Sequence, residues 1–225
     1  LVPPGADPHT YEPPPGILAD VAGADMYAAV GSGVEFELSW KDKIAALNPG
    51  MLVVDCSRGV DLISTDPHIW VSPRNAKVMV ENICRGLIEV DPENATDYRR
   101  NADAYREELD ALDAEIADAL ARSGVTKIMV YHASWAYFAR DYGLVEVPIE
   151  SEGKEPSPQR IEHLVRQAEE EGIRVIFASP EHSTRSAEVI AKEVNGTVVQ
   201  VSPLAGDYLA NMRRVALAFA ESGGP

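Results

Sequence analysis

Three histidines are the residues with the clearest potential for chemistry, because an imidazole binds transition metals and exchanges protons near neutral pH. His9 lies in a proline-rich opening segment, LVPPGADPHTYEPPP, and His68 lies in the short segment DPHIW. His132 directly follows KIMVY, an apolar run that is typical of a buried strand. The sequence therefore predicts three imidazoles presented by loops or strand ends, the donor set of a transition-metal site.

Each histidine also has an ordinary structural explanation. His9 would be an exposed polar loop residue, and His68 would simply pack against Trp70. The repeated Asp-Pro-His pattern favours metal binding, because the prolines restrict the backbone and hold the next side chain in one direction. His163 lies inside a predicted helix, and we expect it on the surface.

Two aspartates precede the first two histidines by two residues and are candidates for orienting them. Asp7 and Asp66 are placed to accept hydrogen bonds from a nearby backbone or imidazole N–H group. An equally good explanation is that both aspartates only cap turns.

One long amphipathic helix, over residues 94–122, must organise the elements that carry these side chains. Its apolar positions recur at steps of three and four residues, which is the period of one helix face. They are Tyr98, Ala102, Tyr105, Leu109, Leu112, Ile116 and Leu120. We interpret this helix as a spine that joins two halves, although a surface helix of one domain would show the same pattern.

Short apolar strands alternate with helices on both sides of this helix, which indicates mostly parallel sheets. The predicted fold class is α/β, with two lobes, each a mostly parallel sheet flanked by helices, and a metal site in the cleft. The predicted domains are an N-terminal lobe over residues 1–93, the rigid linking helix over 94–122 and a C-terminal lobe over 123–225.

The composition narrows the range of partners. The 225 residues carry a formal net charge of −16, which argues against nucleic acid or an anionic membrane as the partner.

No apolar run reaches the ~18 residues of a membrane span. Cys56 and Cys84 are compatible with a disulfide or with two core thiols. The chain begins at Leu1 without a leader segment, so we interpret it as an excerpt of a longer mature protein.

The chain resembles the metal-binding solute-binding proteins of ABC importers, a family of zinc and manganese receptors. The resemblance rests on PPGADPHTYEP at residues 3–13, DPHIW at 66–70, and HASWAYF at 132–138 followed by YGL at 142–144. Further matches are EPSP at 155–158, and GDY at 206–208 with Asn211 and Met212. These segments occur in the family's order and cover essentially the whole chain. The family has one more strand and helix before the first segment, which are expected to be missing here.

The resemblance implies that His9, His68 and His132 are metal ligands. The family usually supplies a fourth ligand, an aspartate after the last strand, and here that position is Ser202. It often has glutamate where this chain has Ser179. We expect Glu181 to be the fourth ligand, because a short loop after a strand end faces a cleft. The alternatives are His182, Asp207 and water.

The resemblance also implies a function without catalysis. Three imidazoles and one oxygen donor suit tetrahedral Zn²⁺, whereas the alternative, Mn²⁺, prefers more oxygen ligands. We expect an extracytoplasmic, monomeric receptor that delivers its ion to a membrane permease. It would be periplasmic or on the cell surface, and a lipid anchor on the missing N-terminus is one option. Two alternatives are a zinc hydrolase with Glu181 as general base, and a surface adhesin with a structural metal.

Overall fold

The computed structural model describes residues 1–3, 6–63, 66–151 and 153–223. Pro4 and Gly5 of the opening motif, and Ser64 and Thr65 before the second histidine segment, lie outside the described residues. Contacts between residues divide the chain into two units, Leu1–Ala111 and Leu112–Pro225.

The first unit contains two parallel strands and the helices that follow them. Met26 pairs with Leu52 at one end of the two strands, and Ala29 pairs with Asp55 at the other. Its elements are α1 (Pro15–Val21), β1 (Met26–Ala29), α2 (Glu35–Leu47), β2 (Leu52–Asp55), a 3-10 turn (Ile69–Val71), α3 (Pro73–Val90), a second 3-10 turn (Pro92–Asn94) and the first part of α4 (Ala95–Ser123).

Ser72 followed by Pro73 predicts a helix start, with serine as the cap and proline at the first helical position, and α3 begins there. Ser72 accepts a hydrogen bond from the Asn75 backbone N–H, and Pro73 occupies the first helical position, where its missing N–H costs nothing. Gly86 lets α3 approach the sheet closely, because a methyl group there would overlap Val54 and lie 2.7 Å from the sulfur of Met26. This close packing holds α3 against both strands of the unit.

The second unit contains a four-stranded sheet in the order β4-β3-β5-β6, and every pair of neighbouring strands is parallel. This confirms the prediction of parallel sheets for the C-terminal half. Its elements after α4 are β3 (Lys127–Val130), α5 (Ala136–Tyr142), β4 (Val145–Pro148), α6 (Pro158–Glu171), β5 (Val175–Ala178), α7 (Arg185–Glu193), β6 (Thr197–Gln200) and α8 (Tyr208–Glu221).

Helix α4 was predicted over residues 94–122 and is observed over Ala95–Ser123. The predicted apolar face is confirmed, since its members are buried or half-buried, and five of them are fully in the core. The five are Ala102, Leu109, Leu112, Ile116 and Leu120. The boundary between the two units falls inside this helix. The division into two lobes and a rigid linking helix stays a prediction.

Several local predictions can be compared with the structure. The sequence ASWAYFARDYGL, residues 133–144, predicts a helix that follows His132 at once, but α5 begins only at Ala136. The N–H groups of Ser134 and Trp135 donate to the Glu146 carboxylate at 3.1 and 2.9 Å, so these two residues form a loop instead. His163 is exposed, as predicted.

The two cysteines are both free and buried, so the disulfide alternative is wrong for Cys56 and Cys84. In the part of the chain that the structure describes, no helix combines the length and the apolar character needed to cross a membrane.

Candidate metal centre

The first unit brings two of the predicted ligands together. The Nε2 atoms of His9 and His68 lie 3.0 Å apart, and the centres of the two rings lie 5.1 Å apart. With Zn–N bonds of ~2.0–2.1 Å, two nitrogens on one tetrahedral ion lie about 3.3 Å apart. The two imidazoles are therefore arranged as neighbouring ligands of a single small ion.

The Asp66 carboxylate fixes the orientation of His68. Its Oδ1 atom accepts the backbone N–H of His68 at 2.8 Å and lies 2.6 Å from the imidazole Nδ1. A carboxylate at Nδ1 holds the proton there and leaves the Nε2 lone pair available to a metal. The proposed orienting role of Asp66 is confirmed. Trp70 also packs against His68, with ring centres 5.2 Å apart, so packing and orientation act together.

His9 is oriented by two carboxylates. Asp7 accepts the backbone N–H of His9 at 2.9 Å, a contact that fits both the predicted orientation of the loop and a simple turn cap. The imidazole Nδ1 lies instead 2.6 Å from Oε2 of Glu35, in the first turn of α2. The sequence analysis missed Glu35, because 26 residues separate it from His9 and no motif joins them. The Phe36 N–H donates to the Pro8 carbonyl at 3.1 Å and holds this loop against α2.

A further hydrogen bond connects the His68 segment to the turn after β1. The Ser32 hydroxyl donates to the carbonyl of Pro67 at 2.5 Å, one residue before His68. Asn75 of α3 donates to the Ile69 carbonyl at 3.1 Å on the other side of the histidine. The backbone on both sides of His68 is thus held by side chains from separate elements.

Two carboxylates lie near the carboxyl ends of β1 and β2: Glu37, which is buried, and Asp55, which is exposed. The Glu37 carboxylate accepts the backbone N–H groups of Val30 and Gly31. Gly31 has φ of +80°, and a side chain there would overlap Asp55, so only glycine fits. Burial and then the charges of Glu37 and Asp55 raise the pKa of the Cys56 thiol to about 11. That thiol therefore stays protonated at neutral pH, which does not favour metal binding.

The candidate residues of the second unit follow the carboxyl ends of its four parallel strands. Glu150 follows β4, His132 follows β3, and the segment from Ser179 to His182 follows β5. Ser202 follows β6. The carboxyl ends of parallel strands share one edge of the sheet, which is where open α/β sheets bind ligands.

His132 is oriented as the other two histidines are. Its Nδ1 atom forms a hydrogen bond with Oε1 of Glu150, a buried residue of the adjacent strand end. This contact again directs the proton to Nδ1 and leaves Nε2 for a ligand. Sequence reasoning missed Glu150, although its position directly after an apolar strand is a signal of the same kind as that of His132.

The predicted fourth ligand, Glu181, is engaged by two hydroxyl groups. One carboxylate oxygen accepts from the Ser202 hydroxyl at 2.9 Å, and the other accepts from Ser179. Asp207, another candidate, is exposed and caps α8 by accepting the Ala210 N–H at 3.1 Å. The ring of His182 lies 4.5 Å from that of His132, centre to centre. The ligand role of Glu181 stays a prediction.

Parallel α/β units whose imidazoles are held at Nδ1 by carboxylates define a metal-binding protein of the solute-binding class. The profile of the ZnuA family, described as the periplasmic component A of a zinc-uptake complex, matches residues 1–222. The chain belongs to this family.

Similar proteins agree with this assignment. The chain is 40% identical to a crystal structure of ZnuA, with a TM-score of 0.95 over 100% of this chain and 89% of that one. It is 31% identical to a putative metal-binding protein of Chlamydia muridarum, over 96% of this chain and 79% of that protein. It is 33% identical to the iron-binding protein YfeA of Yersinia pestis, over 91% of this chain and 70% of that protein.

The family assignment establishes the general function. ZnuA-family proteins are periplasmic or surface-exposed receptors that bind a divalent metal ion and work with the permease of an ABC transporter. They are transport receptors and not enzymes. The receptor function is therefore favoured over the hydrolase and adhesin alternatives.

Proposed function

We propose that this receptor captures Zn²⁺ through His9, His68 and His132 and delivers it to an ABC importer. One observation carries the proposal: in each of these histidines, Nδ1 contacts a carboxylate oxygen. The three carboxylates belong to Glu35, Asp66 and Glu150. All three imidazoles then offer Nε2 to a ligand, which is the arrangement found around protein-bound zinc.

Zinc is preferred to manganese because of the donor atoms. Three neutral imidazoles form a nitrogen-rich set that suits a tetrahedral ion, whereas Mn²⁺ favours carboxylate and water oxygens. The affinity order of divalent metals also allows Cu²⁺ and Ni²⁺ to compete, so selectivity in the cell depends on geometry and supply. YfeA, named for iron, indicates that relatives of this chain differ in the ion they take.

Glu181 is our proposed fourth ligand, and water, His182 and Asp207 are the alternatives. As a ligand, Glu181 would exchange its hydrogen bonds with Ser179 and Ser202 for a bond to the ion. The two hydroxyls already hold the Glu181 carboxylate at the edge of the sheet where His132 lies. This position supports Glu181 as the fourth ligand.

In this proposal the ion joins ligands from both halves of the chain. His9 and His68 come from the first unit, and His132 comes from the second. We further propose that the receptor is a monomer and that a lipid anchor holds it at the membrane.

X-ray absorption at the zinc edge tests the ligand set directly. Zinc-loaded protein should show three imidazoles and one or two oxygen neighbours at about 2.0–2.1 Å. His9→Ala, His68→Ala and His132→Ala should each lower the imidazole count to two, and the exposed His163→Ala is the matched control. An unchanged count in any of the three variants would remove that histidine from the proposed site.

A further inference from the structure

We infer that the second unit carries a two-imidazole metal half-site of its own, formed by His132 and His182. The inference rests on the proposed function for the role of His132 and adds a residue and a loading step to it. Two imidazoles on one tetrahedral ion have ring centres about 5 Å apart. The His132 and His182 rings are 4.5 Å apart and inclined by 43°.

The first unit provides an internal comparison. Its own imidazole pair, His9 and His68, has ring centres 5.1 Å apart and an inclination of 59°. The pair in the second unit is therefore similar in spacing and in angle. Each unit thus presents two imidazoles near each other, and each pair contains one ring held at Nδ1 by a buried carboxylate, Asp66 or Glu150.

A tight turn positions His182. The His182 N–H donates to the Ser179 carbonyl at 3.2 Å, which closes a four-residue turn with Pro180 at its second position, where proline is favoured. Hydrogen bonds from Ser179 and Ser202 to the Glu181 carboxylate fix the third residue of the turn. One backbone hydrogen bond and two bonds to the Glu181 side chain therefore hold the turn that carries His182.

Tyr131 supports the His182 ring from a second direction. The two ring centres are 6.1 Å apart, at an inclination of 38°. The Tyr131 phenol hydrogen-bonds to Glu155, which holds the ring in place. Glu155 also accepts a hydrogen bond from Ser186 of α7 at 2.5 Å, which ties the support to the body of the unit.

The half-site gives His182 a role that differs from that of Glu181. An ion bound by His132 and His182 is held by the second unit alone, before it gains His9 and His68 or after it leaves them. A bidentate half-site binds weakly, so it serves loading and release rather than storage. Its nitrogen-only donors favour Zn²⁺, Cu²⁺ and Ni²⁺ over Mn²⁺.

The test uses the full chain with His9→Ala and His68→Ala combined, which removes both imidazoles of the first unit. Calorimetric titration with Zn²⁺ should show one weak residual site. Adding His182→Phe, which keeps an aromatic ring beside Tyr131, should weaken that site by at least about 10-fold, the lower end of what loss of a metal-supporting group costs. Adding His163→Phe to the double variant instead is the matched control and should leave the affinity of the residual zinc site unchanged.

Nitrogen NMR of the imidazoles supplies the second readout. In the double variant, Zn²⁺ should shift the ring nitrogens of both His132 and His182. The half-site is overturned if the double variant shows no residual zinc site, or if His182→Phe does not weaken that site. In either case, zinc bound by the wild type through His9, His68 and His132 leaves the proposed function intact. Wild-type affinity that does not depend on His9 and His68 overturns the three-histidine site instead.

Discussion

The Nδ1 atom of His68 lies 2.6 Å from Oδ1 of Asp66, and the two side chains are only 3% and 6% exposed. Water therefore cannot replace the aspartate as the partner of this imidazole. The same carboxylate oxygen also accepts the His68 backbone N–H, so one side chain fixes both the loop and the ring. The contact makes Asp66 the residue that positions His68.

Asp66→Asn should weaken zinc affinity by about 10- to 100-fold, the usual cost of losing a group that orients a metal-bound histidine. The amide keeps the size of the side chain but removes the charge that holds the proton on Nδ1. Zinc affinity is measured by competition with a chromophoric chelator, and circular dichroism confirms that the fold persists.

Glu35→Gln is the matched variant, because Glu35 contacts the Nδ1 atom of His9 at the same distance but is 53% exposed. Solvent weakens such an exposed contact, so its loss should cost less affinity than the loss of Asp66. Equal effects of the two variants would contradict the importance we assign to burial.

Gly86→Ala should destabilise the protein by about 1–3 kcal/mol, the usual cost of forcing an extra methyl group into a packed core. The added methyl would overlap Val54 and crowd Met26, so α3 would have to move away from the sheet. The free energy of unfolding in urea measures the change. Gly16→Ala in α1 is the control, since its methyl would meet nothing within 4 Å, and it should stay within about 0.5 kcal/mol of wild type.

Stability should fall at alkaline pH because of Cys56. Its pKa is raised from 9.0 to about 11, so the unfolded chain loses the thiol proton first as pH rises. The stabilisation is present in full below pH 9.0 and is lost as pH approaches about 11. The loss is on the order of 3 kcal/mol, at roughly 1.4 kcal/mol per pKa unit. Urea unfolding at several pH values checks this prediction, and Cys56→Ala should flatten the decline. The prediction would be contradicted if the free energy of unfolding fell with pH equally in the wild type and in Cys56→Ala.

Zinc affinity should fall as pH drops from neutral into the weakly acidic range, because histidine ligands bind metal only in the neutral form. A protonated imidazole must lose its proton before it binds metal, which costs about tenfold per pH unit for each ligand histidine. Titrations at pH 7.5, 6.5 and 5.5, chosen to span that range, measure the slope. An affinity that stays constant over them would exclude histidine ligation.

The sequence predicted much of the fold, because local patterns determine it. The apolar period of α4 and the Ser72-Pro73 start of α3 depend on neighbouring residues, and both are confirmed. Parallel strand pairing followed from the alternation of strands and helices. The start of α5 was predicted too early, because Glu146, 11 residues after Trp135, binds the N–H groups that would have begun the helix.

The candidate site was predicted only in part. His9, His68 and His132 carry recognisable motifs, and Asp66 is only two residues from His68. Glu35 and Glu150 lie 26 and 18 residues from the histidines they orient. Their partners are set by the packing of α2 and by the order of strands β4 and β3, which no local pattern reveals. The position of His182 beside His132 likewise depends on β3 and β5 being neighbours.

The most direct test of the three-histidine zinc site is a competition among metals. Stripped protein is offered equimolar Zn²⁺, Mn²⁺, Fe²⁺, Ni²⁺ and Cu²⁺, desalted, and each ion is counted per chain by mass spectrometry. We predict one zinc per chain in the wild type and in His163→Ala, and its loss in His68→Ala. Wild-type protein without retained metal, or His68→Ala that keeps a full zinc, would contradict the account.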